Sequence, residues 1–255
     1  MRKGYNMTAF SSADFIKELD SFFAKNDLDG AGGYLRSAER RLRDEGNYPA
    51  LLTVLNELVG YYRRTGEKDA ALQSVSDAKT LAHEMEIDAR TRGTVLLNCA
   101  TTLKAFGSAS EAMPVYEQAE RLLVSALSPS DPLLAGLYNN MALGFQDTGS
   151  ADKAEEYFLK AIEITLTDDK NALETAVSYI NLAHLRFERD MLDPTVNELL
   201  DKAFAILSDE KYSGYDKYAF TCSKSAPSCG YFGRFADEKF LAGKAEEYYE
   251  RARNK

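Results

Sequence analysis

Two histidines, three cysteines and several paired carboxylates are the groups in this 255-residue sequence that could do chemistry. His83 and His184 lie roughly a hundred residues apart, and neither belongs to an HExxH run or a Cys-His set at metal-ligand spacing. Cys222 and Cys229 are separated by six residues, which is not a zinc spacing; both serve as small apolar residues on a helix. Gly30-Ala-Gly-Gly33 has the glycine density of a phosphate loop, yet no strand pattern precedes it and no Lys-Ser or Lys-Thr follows. Glu155–Glu156 and Glu246–Glu247 fall on what should be solvated helix faces. Nothing assembles a nucleophile, a base and an orienting group. The expectation is a protein that is not an enzyme, with no catalytic residue, no metal and no cofactor.

Composition narrows the partners. A net charge of −9 repels phosphate backbones and anionic headgroups, so neither nucleic acid nor membrane is expected as a partner. The apolar stretches fall well short of the roughly 18 residues that span a bilayer. Met1–Ser12 carries Arg2 and Lys3 with no apolar run behind them, unlike a signal peptide. With an odd number of cysteines, no disulfide framework is implied. A cytoplasmic location is expected.

The elements that must carry any site are set by a repeat. Ala31, Ala71, Ala112, Ala154, Val196 and Ala245 are small residues spaced 40, 41, 42, 42 and 49 positions apart. Four residues after each stands a larger apolar one, Leu35, Val75, Tyr116, Phe158, Leu200 and Tyr249. Three further on comes alanine again, at 38, 78, 119, 161, 203 and 252, and this spacing is one face of a helix. About twelve residues upstream a second series, Leu19, Val59, Ala100, Ala142 and Ala183, marks a preceding helix. Small residues let two antiparallel helices approach closely, so each unit reads as a helical hairpin.

Turn chemistry has the same phase. Gly66, Gly107 and Gly149 stand between the two helices, where a left-handed residue ends the first one without the steric cost of a Cβ. Ser108 and Glu111 have capping-box spacing. Asp131–Pro132 and Asp193–Pro194 read as an N-cap followed by proline at the first helical position. The predicted hairpins cover residues 12–45, 48–86, 88–127, 131–168, 171–208 and 214–255, preceded by an N-terminal extension, 1–11. No hairpin can bury its apolar face alone, so the six are expected to stack as one array over 12–255.

The stretch Leu137-Tyr-Asn-Asn-Met-Ala-Leu-Gly-Phe145, with Gly149, Ala154-Glu-Glu-Tyr-Phe158 and Ala161, resembles the tetratricopeptide repeat superfamily. The period near 42 and the Asn-Asn-x-Ala sequence are similar to the kinesin-light-chain type of repeat. The resemblance covers roughly residues 12–255, although the usual tryptophan and the repeat-end proline are missing. It implies an all-α, right-handed superhelical solenoid, a scaffold whose concave groove holds a protein or an extended peptide.

Turning the helices at about 100° per residue places a polar set opposite the core side of the first helices. These are Thr53, Asn56, Arg63 and Arg64 in the second hairpin, then Asn98, Thr101 and Lys104 in the third. The fourth gives Asn139, Asn140, Gln146 and Asp147, and the fifth Asn181, His184 and Glu188. Asparagine recurs at one position, 98, 140 and 181, and its amide can pair with a peptide N–H and C=O together. The same amides could equally satisfy carbonyls within the solenoid. The last hairpin is rich in aromatic residues, which either close the core or form a contact patch. Tyr231, Phe232 and Phe235 are the patch residues, and self-association through them into a homo-oligomer is the alternative function, with an enzyme or small-molecule site in the groove as a third and weaker reading.

Overall fold

The computed structural model describes residues 10–215 and 217–254. The expected N-terminal extension therefore lies almost wholly outside the described residues, as do Asp216 and Lys255. Among the described residues there are twelve α-helices, two short 3-10 turns and no strand. They fall into two compact units, Met1–Glu84 and Met85–Lys255.

The first unit contains α1 (Ser12–Ala24), α2 (Leu28–Glu45), α3 (Tyr48–Thr65) and α4 (Lys68–Glu84). Its first three helices start on side-chain caps, with Ser11, Asp27 and Asn47 accepting from the backbone N–H three residues on. Ala31, Leu35, Leu42, Val59, Ala71 and Ala78 are buried as the repeat requires. Gly30 and Gly32 lie inside α2, not in a phosphate loop: a Cβ on Gly32 would collide with the Tyr61 hydroxyl, and one on Gly30 would fall 2.7 Å from the Phe22 ring. Those glycines let α2 approach its neighbours closely at some cost in helix propensity.

The second unit contains α5 (Ala89–Ala105), α6 (Ala109–Ala126), α7 (Pro132–Asp147), α8 (Ala151–Thr165), α9 (Ala172–Arg189), α10 (Thr195–Ser208), α11 (Tyr218–Tyr231) and α12 (Phe235–Arg253). The 3-10 turns Asp169–Asn171 and Glu210–Tyr212 precede α9 and α11. Consecutive helices pair as α5 with α6, α7 with α8, α9 with α10, and α11 with α12. Ala100, Ala112, Tyr116, Ala142, Ala154, Phe158, Ala183 and Ala203 are all buried at the seams. Tyr212 and Tyr218 are buried too, and the Tyr218 hydroxyl donates to the Leu207 carbonyl at 2.8 Å, so these aromatics close the core at its last hairpin. Cys99, Cys222 and Cys229 are buried and in no disulfide, and burial pushes the Cys222 thiol up to about 11.

Between the paired helices the chain turns in one recurrent way. Gly66, Gly107 and Gly149 have φ of 80°, 87° and 78°, and the next residue's N–H returns to a carbonyl five back, Glu67 to Tyr62, Ser108 to Leu103 and Ser150 to Phe145. Asn26, at φ 55°, and Gly233, at φ 75°, do the same in the first and last hairpins. The turn from α9 to α10 departs from this pattern.

Two capping expectations need correction. Ser108 makes no side-chain cap, because the N–H of Glu111 already bonds the Ser108 carbonyl in a tight first turn at 3.1 Å. Asp131 caps α7 as expected, but α10 begins one residue later than its proline suggested, with Pro194 itself at the N-cap. Asp193 still supplies the cap acceptor, taking the Thr195 N–H at 2.8 Å and its hydroxyl at 2.6 Å.

Candidate functional site: a polar face on the first helices

In the second unit α7 packs beside both α5 and α9, and α9 beside α11. Asn98, Thr101, Lys104, Asn139, Asn140, Gln146, Asn181 and His184 all stand half-buried, Asn98–Lys104 on α5, Asn139–Gln146 on α7 and the last two on α9. Unexpectedly, five of them are tied across the helices, Asn139 and Asn181 to each other and Lys104, Gln146 and His184 to other polar groups on the neighbouring helix. Asn139 Oδ1 accepts from Asn181 Nδ2 at 3.1 Å and from Ser178 Oγ at 3.2 Å. Gln146 Nε2 donates to Glu188 at 2.6 Å, and Lys104 Nζ pairs with Asp147 at 3.5 Å. The His184 Nε2 and Ser228 Oγ share a bond of 3.1 Å, which ties α9 to α11.

Asn140 behaves differently from its neighbour. Its Nδ2 donates at 2.8 Å to the Gly136 carbonyl one turn back, and the side-chain oxygen has no partner among the described residues. Thr101 likewise donates to Leu97 O at 2.8 Å and accepts from the Tyr116 hydroxyl at 3.2 Å. The three asparagines therefore do not form one ladder of equivalent groups: Asn181 is engaged with Asn139, and Asn140 with its own helix. Ser178 and Ser228 also carry the cross-links; the sequence reading did not single them out, since the offset between neighbouring helices decides which hydroxyls meet the face.

His184 is packed between polar and aromatic groups. Its ring centroid lies 5.1 Å from that of Tyr231 and 4.6 Å from that of Phe232. Burial holds its pKa below the ordinary imidazole range, with the Glu188 charge opposing. Phe232 is half-buried in this cluster, whereas Tyr231 and Phe235 are exposed, so the three aromatic candidates divide.

The first unit places its own candidates on α3. Asn56 Nδ2 donates to Glu57 Oε1 at 3.2 Å, and burial pushes the Glu57 carboxyl above its usual range. Arg64 donates to Asn26 Oδ1 at 3.1 Å, with its guanidinium 5.2 Å from the Phe23 ring. Arg63 lowers the Glu57 pKa by its charge.

Among the described residues no group of three or more His, Cys, Asp or Glu side chains could hold a metal ion. Among the same residues no helix is long and apolar enough to cross a membrane.

No family model matches this sequence, and no curated protein matches it. Solved structures do. A Rap protein complexed with competence and sporulation factor superimposes with a TM-score of 0.60 at 14% identity, covering 98% of this chain and 78% of that one. BtubC (BKLC) from P. vanneervenii gives 0.58 at 18% identity, covering 89% and 91%. Nearly identical kinesin-light-chain TPR-like repeats from Podosopora anserina give 0.54 at 16% identity, covering 85% and 98%. The fold of this chain is that of the tetratricopeptide-like helical solenoids.

Proposed function

We propose that this chain is a protein-interaction scaffold, without catalytic activity of its own, that holds an extended peptide segment against the polar face of α5, α7 and α9. The observation that carries the reading is the cross-linking of that face. Bonds from Lys104 to Asp147, Asn181 to Asn139 and Gln146 to Glu188 fix half-exposed side chains before any ligand arrives. A face ordered in advance loses less side-chain entropy on binding. Asn140 offers its unpartnered oxygen to a peptide N–H in the middle of this frame. The Rap structure, solved with a bound factor, supports a binding role for such a fold.

The test is a selection of displayed random peptides on the full chain, with counter-selection on an Asn140→Ala, Asn98→Ala double variant. Selected peptides are then titrated by calorimetry. Sequences that lose about tenfold or more in affinity for the double variant are expected, the equivalent of one or two desolvated peptide groups left unpaired. Peptides that bind the two proteins alike, or no enrichment at all, would overturn the proposal.

A further inference from the structure

Apolar side chains stand exposed where the polar face ends. In the turn between α9 and α10, Met191 and Leu192 are 72% and 87% exposed, and flanking the turn between α11 and α12, Tyr231 and Phe235 are 60% and 69% exposed. The corresponding turns earlier in the same unit carry Gly107-Ser108 and Gly149-Ser150. Tyr231 keeps one edge against the His184 and Phe187 rings, but apolar groups this exposed in place of such polar turns leave more surface open than the chain's own packing uses.

The two turns lie at the same end of their hairpins. Phe187, in the last turn of α9, meets Tyr231 and Phe232 at ring-centroid distances of 5.8 and 5.4 Å. Arg189 reaches back from the end of α9 to Asp152 at the start of α8, at 3.1 Å, and Arg234 from the α11–α12 turn to Asp201 on α10, at 2.6 Å. Tyr231 is thus continuous, through the Phe187 ring, with the helix that leads into Met191 and Leu192.

Charge decides what fits. The arginines at this edge are committed: Arg186 and Arg189 to Glu155, and Arg234 to Asp201 and Asp237. Glu188, Asp190 and Glu238 form no ion pair among the described residues; Glu188 takes a hydrogen bond from Gln146 and Asp190 one from the Leu192 N–H. A second copy docking through the same patch would bring these carboxylates against their own equivalents. An anionic membrane would be repelled likewise.

We infer that the edge formed by Met191, Leu192, Tyr231 and Phe235 docks a partner helix with an apolar face flanked by lysine or arginine. The site adjoins the polar face of the first helices and shares Glu188 with it, but its apolar residues lie outside that face and its occupant is distinct from the ligand held there.

The test uses the full chain and a fluorescent synthetic helix with leucine on one face and lysine on its flanks, read by anisotropy. A peptide of the same pattern with glutamate for lysine is the control. The lysine peptide is expected to bind, to weaken about tenfold or more with Leu192→Ser, Phe235→Ser, and to weaken with Glu188→Lys, Asp190→Lys. Its affinity should also fall as salt screens the carboxylates, and it should survive Asn140→Ala unchanged. Circular dichroism confirms that each variant is folded. Equal binding to the Ser variant, or equal binding of the glutamate peptide, would overturn the inference. So would a wild-type dimer in light scattering that dissolves in the Ser variant, or sedimentation of the wild type with phosphatidylserine vesicles.

Discussion

Asn139 and Asn140 are neighbours in sequence and should differ sharply when replaced. Asn139→Ala removes an oxygen that accepts from both Asn181 Nδ2 and Ser178 Oγ. A hydrogen bond contributes about 0.5–1.5 kcal/mol net. Of the two donors on α9, Asn181 is half-buried and Ser178 buried, so partial rehydration puts the loss for two bonds at about 1–2 kcal/mol. Asn140→Ala removes a bond to its own helix, the kind that competes with the backbone ladder, and places the best helix former at that position. Its stability should stay within about 0.5 kcal/mol of wild type. Urea unfolding reads the difference: with a slope of about 3 kcal/mol per molar, Asn139→Ala should lower the midpoint by roughly 0.3–0.7 M while Asn140→Ala leaves it nearly in place. Because two units need not unfold together, amide exchange in α7 and α9 should accompany the titration. The cycle with Asn181→Ala should show positive coupling for Asn139 and none for Asn140. An equal drop for the two alanine variants would refute the division between a cross-linking and a presenting asparagine.

The remaining predictions concern pH and packing. His184 is held below the ordinary value near 6.5, so the folded state favours its neutral form; that contribution is complete above pH ~6.5 and is lost as pH falls through the lower folded value. Urea midpoints between pH ~7.5 and about 5 should fall less in His184→Gln than in wild type, and parallel profiles would contradict the assignment. Gly93→Ala should cost about 1–3 kcal/mol, because its Cβ would sit 2.6 Å from Cγ of the buried Leu123. Gly136→Ala, with nothing within 4 Å, should gain about 0.5–1 kcal/mol, and thermal melts of the two variants moving the same way would contradict this contrast.

The helices and their seams are legible in the sequence because a single signal is repeated. A small residue at 31, 71, 112, 154, 196 and 245 is buried every time, and the glycines at 66, 107 and 149 all take positive φ. The cap at Ser108 is misread from residue types because they show a donor and an acceptor at the right spacing but not that the Glu111 N–H is already taken by a backbone carbonyl. At the candidate face the sequence supplies the right residues and the wrong relationship. Asn139, Asn140 and Asn181 look like independent offers to a ligand, since the bond between Asn139 and Asn181 depends on how α7 and α9 are offset, a quantity no single helix contains. The edge at Met191 and Leu192 is written plainly, two apolar residues between Asp190 and Asp193, but an apolar pair in a turn becomes meaningful only once its exposure is known.

The recurrent turn also bears on how such a chain could be rebuilt. At Gly107 and Gly149 the backbone leaves one helix and enters the next through the same conformation and the same closing bond, with a serine following each. Two junctions of one shape are interchangeable splice points, so the segment from Gly107 to Thr148 forms a cassette that begins on one such turn and stops where the next begins.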